Sequence, residues 1–87
     1  MLFTALYEIP METLRECQDR FMNQEEKWYG VKLLHRLHHA HGNTGVLILE
    51  SDDAHAIGQW ANQWADLLSL ELTPAYDDEA ALAILGG

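Results

Sequence analysis

The order of segments along the chain predicts an α+β fold of the type βαββαβ with a short C-terminal helix. Four segments alternate apolar and polar residues with a period of two, as strands do, and two longer segments between them carry apolar residues at helical spacing. The Gly- and Asn-containing stretch 41–45 has the composition of a hairpin turn between the second and third strands. This order is the split β-α-β arrangement of ferredoxin-like sandwiches, and we expect residues 1–87 to form one domain.

The first half of the chain is predicted as a strand, a helix and a loop. The strand covers Leu2 to Ile9, and Pro10 suits the first position of a helix that extends to about Glu25. Cys17 lies on the apolar face of that helix, which predicts an inert buried thiol. The loop 23–30 carries Trp28 and Tyr29, which either cap the core or close over a cleft.

The second half contains two strands, a helix, a last strand and the tail helix. The second strand is predicted over residues 31–40, and the third, over 44–51, is apolar on both sides and therefore central. The acidic residues after Ser51 favour a helix that runs to about Leu68, with Trp60 and Trp64 on its core stripe. A fourth strand over 69–76 and a helix over 78–85 complete the chain.

The net charge of −9 comes from fourteen acidic and five basic residues. It argues against a general nucleic-acid binder, which needs a basic surface to displace phosphate counterions, and against binding to an anionic membrane. No apolar stretch is long enough to span a bilayer, and the N-terminus lacks the basic region of a signal peptide. With a single cysteine, these features predict a cytoplasmic protein.

The charge is distributed unevenly. Residues 27–49 contain no Asp or Glu and carry a charge of +3 with neutral histidines, so the rest of the chain carries −12. We call residues 27–49 the basic segment. It is consistent with a strand pair that excludes carboxylates, with a pocket for an anionic ligand, or with a metal site.

Strand alternation gives the candidate site. It directs Lys32, Arg36 and His38 away from the helices, to the sheet face that also carries Thr4 and Glu71. We therefore predict ligand-binding roles for Arg36, Lys32, Glu71 and Thr4, and a proton-transfer role for His38 as the catalytic candidate. The alternative is a structural ion pair between Arg36 and Glu71.

The same sheet face predicts a homodimer. Two helices cover one face of a four-stranded sheet, whereas the third strand and Leu2 and Leu6 of the first strand place apolar residues on the other face. Packing two sheets face to face would bury that layer and enclose a cavity between them. The alternative is a monomer whose tail helix folds over the face.

Cofactor and metal motifs are not recognisable in the sequence. Four histidines occur in residues 35–41, but their spacing does not converge on one ion and no carboxylate lies in the basic segment, so we predict no metal site. No phosphate loop, dinucleotide fingerprint or Ser/His/Asp order is present, and no cofactor is predicted.

Several short runs give the chain a family resemblance. They are Gly30-Val31-Lys32, Arg36-Leu37-His38, Glu50-Ser51-Asp52-Asp53, Trp60 to Asp66, Glu71-Leu72-Thr73-Pro74 and Asp77-Asp78-Glu79. Over residues 2–80 the chain resembles a family of short bacterial domains of unknown function in the dimeric α/β-barrel superfamily. The family strand reads Arg-Trp-His, so Arg36 and His38 match, whereas Leu37 replaces the aromatic residue, and His35, His39 and His41 are departures.

The resemblance implies a dimeric barrel and no particular activity, because one fold hosts many chemistries. Two functions therefore stay open. The first is binding of a small anionic or polar ligand between the sheets, with cofactor-free oxygenase or isomerase chemistry. The second is a non-catalytic interaction or regulatory module with an acidic surface.

Overall fold

The computed structural model describes all 87 residues and has the predicted α+β architecture. The chain folds in the order β1 (Leu2–Glu8), a 3-10 turn (Met11–Thr13), α1 (Leu14–Asn23), β2 (Lys32–His38), β3 (Thr44–Glu50), α2 (Ala54–Asn62), β4 (Ser69–Ala75) and α3 (Asp78–Gly86). The strands form one antiparallel sheet in the order β2-β3-β1-β4, which is consistent with a ferredoxin-like fold. β3 is central, as its two apolar sides predict.

The second helix is shorter than the sequence predicts. It ends at Asn62, and residues 63–67 continue as turns up to Leu68. Side chains of the first helical segment bind carbonyls of these turns: Arg20 Nη1 donates to the carbonyl of Gln63 at 2.8 Å, and Thr13 Oγ1 donates to that of Leu67 at 2.6 Å. Bonds to side chains thus satisfy groups at the helix end that lack partners within the helix.

The core lies between the sheet and the inner sides of α1 and α2. Its largest fully buried side chains are Trp60 and Leu49, and Trp28 of the loop stacks on Trp60 with ring centroids 5.9 Å apart. Cys17 and Trp64 are also buried, as their helical spacing predicts. The loop 23–30 therefore contributes to the core through Trp28.

A β-bulge in β2 changes the face assignment made from alternation. Leu33 lies opposite Leu49, but the next pair joins His35 to Ile48, so Leu34 is an extra residue. From that point each side chain moves to the other face, because the side-chain period of a strand is two.

The side chains after the bulge therefore face opposite to the prediction. Arg36 lies opposite the buried Leu47, and His38 lies opposite Gly45. Both face the helices. The prediction that Arg36 and His38 face away from the helices is wrong for this reason.

The sheet face away from the helices, which we call the open face, is not covered within the chain. On it, Leu6 is 48% exposed and Leu37 is 62% exposed. Nor does α3 fold over it, because Leu82 and Leu85 of that helix are 70% and 84% exposed. The alternative of a monomer closed by its own tail helix is therefore wrong.

Candidate functional site

A cavity of about 260 Å³ lies on the helix side of the sheet. The sheet contributes Tyr7, Arg36 and His38 to its wall, and α1 contributes Cys17 and Phe21. Nine of the fourteen lining residues are hydrophobic, so the interior is mainly apolar with a few polar groups, as small-molecule sites usually are. The cavity thus forms within one chain, between sheet and helices.

Tyr7 and His38 form the first polar group of the cavity. Tyr7 Oη lies 2.7 Å from His38 Nδ1, and the two rings meet edge to face with centroids 5.8 Å apart. Gly45 makes room for this contact, because a Cβ at that position would overlap the Tyr7 ring. Tyr7 is buried whereas His38 is exposed, so the pair connects the cavity with solvent.

Burial raises the pKa of the Tyr7 phenol above its usual value, with a second contribution from Cys17. The phenol therefore keeps its proton at neutral pH. A neutral phenol is the better donor of the two groups, so we assign Tyr7 O–H as donor to an unprotonated Nδ1 of His38. One lone pair of the Tyr7 oxygen then remains for a ligand.

Arg36 and Glu26 form the second polar group. Arg36 Nη2 donates to Glu26 Oε1 at 2.7 Å and to Oε2 at 2.8 Å, and the two side chains are 16% and 13% exposed. The guanidinium carbon also lies 5.3 Å from the ring centroids of both Phe21 and Trp28. Such stacking suits the planar, weakly hydrated guanidinium of Arg36.

Glu26 is the centre of a larger hydrogen-bond network. Its Oε2 also accepts from Trp60 Nε1 at 2.8 Å and from Trp64 Nε1 at 3.1 Å. One carboxylate therefore joins the loop 23–30 to β2 and to the segment around α2. It also neutralises Arg36, so an anion entering the cavity would have to compete with Glu26 for the guanidinium.

The other predicted ligand-binding residues lie elsewhere. Thr4 is opposite Ile48 and Thr73, Glu71 is opposite Leu6, and Lys32 precedes the bulge and is opposite Glu50. Thr4, Glu71 and Lys32 therefore lie on the open face, while Arg36 and His38 lie at the cavity. The alternative pairing of Arg36 with Glu71 is also wrong, since the partner of Arg36 is Glu26.

Sequence reasoning missed two residues of the site. Alternation places Tyr7 on the same side of the first strand as Phe3 and Ala5 but names no partner for its hydroxyl, although a buried tyrosine usually needs one. Glu26 lies in the loop 23–30 and is not among the predicted site residues. The signal for it was the pair Trp60 and Trp64, because two indole N–H groups on a buried face require an acceptor.

Cys17 adds a thiol to the cavity wall. Burial raises its pKa above the usual value, while the nearby Arg20 acts in the opposite direction and Asp66 adds to the increase. Arg20 is itself paired with Asp66 through two bonds of 2.8 Å. The thiol is therefore protonated at neutral pH and a poor nucleophile.

The histidines of the turn after β2 are hydrogen-bonded to one hydroxyl. Thr44 Oγ1 lies 2.7 Å from His39 Nδ1 and 2.8 Å from His41 Nε2.

No group of three or more His, Cys, Asp or Glu side chains is placed to hold a metal ion. No helix combines the length and apolar character needed to cross a membrane.

These features define a class: a small α+β domain with an apolar, solvent-open cavity between two helices and an antiparallel sheet, lined by a Tyr-His pair and an Arg-Glu pair. The chain belongs to the family described as a domain of unknown function, DUF3303, which matches residues 1–87. No curated protein and no solved structure matches the chain.

Proposed function

We propose that the chain binds a small, mainly apolar molecule with one polar end in the cavity on the helix side of the sheet. The observation that carries the proposal is the Tyr7–His38 pair at the wall of a cavity of about 260 Å³. This volume is slightly below the roughly 300–1,000 Å³ of typical small-molecule sites. It suits a compact ring compound.

The charges at the cavity favour a neutral polar ligand over an anion. An anionic ligand would require the guanidinium of Arg36 to be a free charge. With Glu26 bound to Arg36, the Tyr7 oxygen and His38 are the polar groups left for recognition. A ligand hydroxyl that donates to Tyr7 would satisfy the free lone pair of the phenol oxygen.

The same pair supports proton transfer as the chemistry of the site. The ligand hydroxyl gives its proton to Tyr7 while Tyr7 gives its own to His38 Nδ1, and the exposed imidazolium releases its Nε2 proton to water. The ligand becomes an oxyanion, which is the starting point for an isomerisation or, with dioxygen as oxidant, for cofactor-free oxygenation. His38 is then the general base and Tyr7 its relay.

Binding is tested with 1-naphthol and its anionic counterpart 1-naphthoate. We expect 1-naphthol to change the tryptophan fluorescence and to slow alkylation of Cys17, because both groups lie at the cavity. Tyr7→Phe should weaken 1-naphthol binding by about tenfold, as expected for one lost hydrogen bond. The matched control is His55→Asn, in the exposed first turn of α2. Unchanged fluorescence and alkylation at millimolar 1-naphthol would refute the proposal.

The second candidate function is a non-catalytic interaction module. It is supported by exposed acidic residues outside the basic segment, including Asp52, Asp53 and Glu79. A basic protein partner would then bind through these carboxylates, and its binding should weaken as salt screens them. Binding that is insensitive to salt and to Asp52→Asn/Asp53→Asn would contradict this function.

We propose further that two copies pack sheet on sheet as a dimeric α/β barrel in the bacterial cytoplasm. A compact monomer of 9.9 kDa would expose about 5,200 Å². The chain exposes 6120 Å², and the excess of about 900 Å² is close to the roughly 800 Å² that each partner buries in a standard interface. Sedimentation of a stable monomer at micromolar concentration would refute the dimer.

A further inference from the structure

The C-terminal helix is the most unusual surface of the molecule. After its acidic first turn, α3 consists of alanine, leucine and isoleucine up to Gly86, so it is apolar on every side. A helix that is hydrophobic all round belongs in a protein interior, but Leu82, Ile84 and Leu85 are at least 60% exposed. A helix of nine residues is also too short to be stable alone in water. The helix therefore needs a surface to pack on.

The overall dimensions agree with a projecting helix. The radius of gyration is 14.5 Å, whereas a compact chain of this length should have about 12 Å. The longest extent is 48 Å against a shortest of 16 Å. The exposed apolar area of α3 is thus part of the excess surface that the proposed dimer would bury.

From these observations we propose that α3 is an exchanged arm, which packs along β2 on the open face of a second copy of this chain. This inference rests on the proposed homodimer and names the contact that completes it. In a two-fold symmetric dimer the same contact is made twice, because each copy gives an arm and receives one.

Charge complementarity selects β2 as the docking surface. Asp77, Asp78 and Glu79 give the start of α3 three negative charges, and its last turn has no basic residue. On the open face β2 carries Lys32 and His35, within the basic segment of the chain. Lys32 lies opposite Glu50 but forms no ion pair with it, so its ammonium group remains available to the acidic start of the arm.

The apolar groups and lengths also match. Leu37 of β2, 62% exposed, is an apolar contact for Leu82 and Leu85. The nine residues of α3 span about 13 Å, and the seven of β2 span about 23 Å, so the helix fits along the strand. With β1 and β3 packed on the partner's central strands, β2 remains at the rim for the arm.

The arm does not make this contact within its own chain, since Leu85 is 84% exposed and Leu37 is 62% exposed. β2 and β4 are the two edge strands, so about 14 Å of sheet separate them. The two residues between Ala75 and Asp78 allow the start of α3 to lie at most about 10 Å from β4. The acidic turn therefore starts beside β4, at the edge of the sheet opposite to β2 of the same copy.

Cross-linking tests the contact directly. In a Cys17→Ala background, Leu37→Cys and Leu85→Cys are placed on separate copies, which are mixed and oxidised. We expect a disulfide-linked dimer that forms only when both variants are present. In the doubly substituted chain, a disulfide confined to one copy would overturn the arm exchange.

Sedimentation equilibrium separates the failure of the arm from the failure of the dimer. Leu82→Ser/Leu85→Ser should raise the dimer dissociation constant by about 10,000-fold or more, because four leucines, two from each copy, lose their burial. The matched control is Met22→Ser on α1. Met22 is an equally exposed apolar residue, and its substitution should leave the dimer dissociation constant unchanged. If the α3 substitutions leave the dimer dissociation constant unchanged, the proposed arm contact is refuted while the proposed dimer stands. If the parent chain sediments as a monomer, both proposals are refuted.

Discussion

Replacing Glu26 by alanine should destabilise the protein more than any other single change at the cavity. The substitution leaves the guanidinium of Arg36, 16% exposed, without its carboxylate, and leaves the indole N–H groups of Trp60 and Trp64 without their acceptor. Breaking a buried ion pair from one side costs about 3–5 kcal/mol. Each unsatisfied donor costs about 1–3 kcal/mol, but these terms overlap because they share one carboxylate.

We therefore expect Glu26→Ala to lower the free energy of unfolding by about 3–5 kcal/mol, a large part of the about 5–15 kcal/mol of a typical domain. Urea titration followed by tryptophan fluorescence and circular dichroism measures it. Arg36→Met removes the partner charge, so the double variant Glu26→Gln/Arg36→Met should recover part of the loss. A loss below about 1 kcal/mol for Glu26→Ala would refute the assignment of Glu26 as the centre of the network.

Three further changes test other parts of the site. Gly45→Ala should destabilise the fold by about 2 kcal/mol or more, measured by thermal unfolding, because the new Cβ overlaps the Tyr7 ring and the Leu37 carbonyl; an unchanged melting temperature would contradict this close approach. The pKa of Tyr7 is raised in the folded state, so the protonated phenol contributes to the free energy of unfolding. This contribution is complete below the pKa of about 10 in the unfolded chain, and it is lost as the pH rises through the pKa of the folded state. The alkaline loss of stability should therefore be smaller in Tyr7→Phe, and equal pH profiles would argue against the raised pKa. Alkylation of Cys17 by iodoacetamide should be slow in the native protein at neutral pH and fast in urea, because its thiol is buried and its pKa is raised; equal rates would show that the thiol is accessible.

The sequence predicts the elements well because each carries a strong local signal. The alternation in β1 follows from the burial of every second residue, and the two apolar sides of β3 follow from its central position in the sheet. The stripe with Trp60 and Trp64 likewise identifies the buried side of the segment around α2. These signals depend on neighbours along the chain, so they hold without knowledge of the tertiary structure.

The site was predicted less completely because it depends on a β-bulge and on contacts between residues that are distant in the sequence. One extra residue at Leu34 reverses the faces of Arg36 and His38, and alternation counted from Val31 cannot detect it. The doublet Leu33-Leu34 is the visible trace, since two successive apolar residues interrupt the period. Glu26 is joined to residues 34 and 38 positions away by its bonds to the indoles, so only the unsatisfied donors themselves pointed to it.

The bulge at Leu34 makes the chemistry of this domain depend on chain length as well as on residue identity. Deleting Leu34 would leave the identity and order of all other residues unchanged. It would nevertheless move Arg36 and His38 from the cavity wall to the open face. A substitution scan of β2 would overlook this dependence, whereas a deletion scan would reveal it. Chains of this family that differ in length between Gly30 and the hairpin turn are therefore expected to differ in ligand, even where their Arg and His residues align.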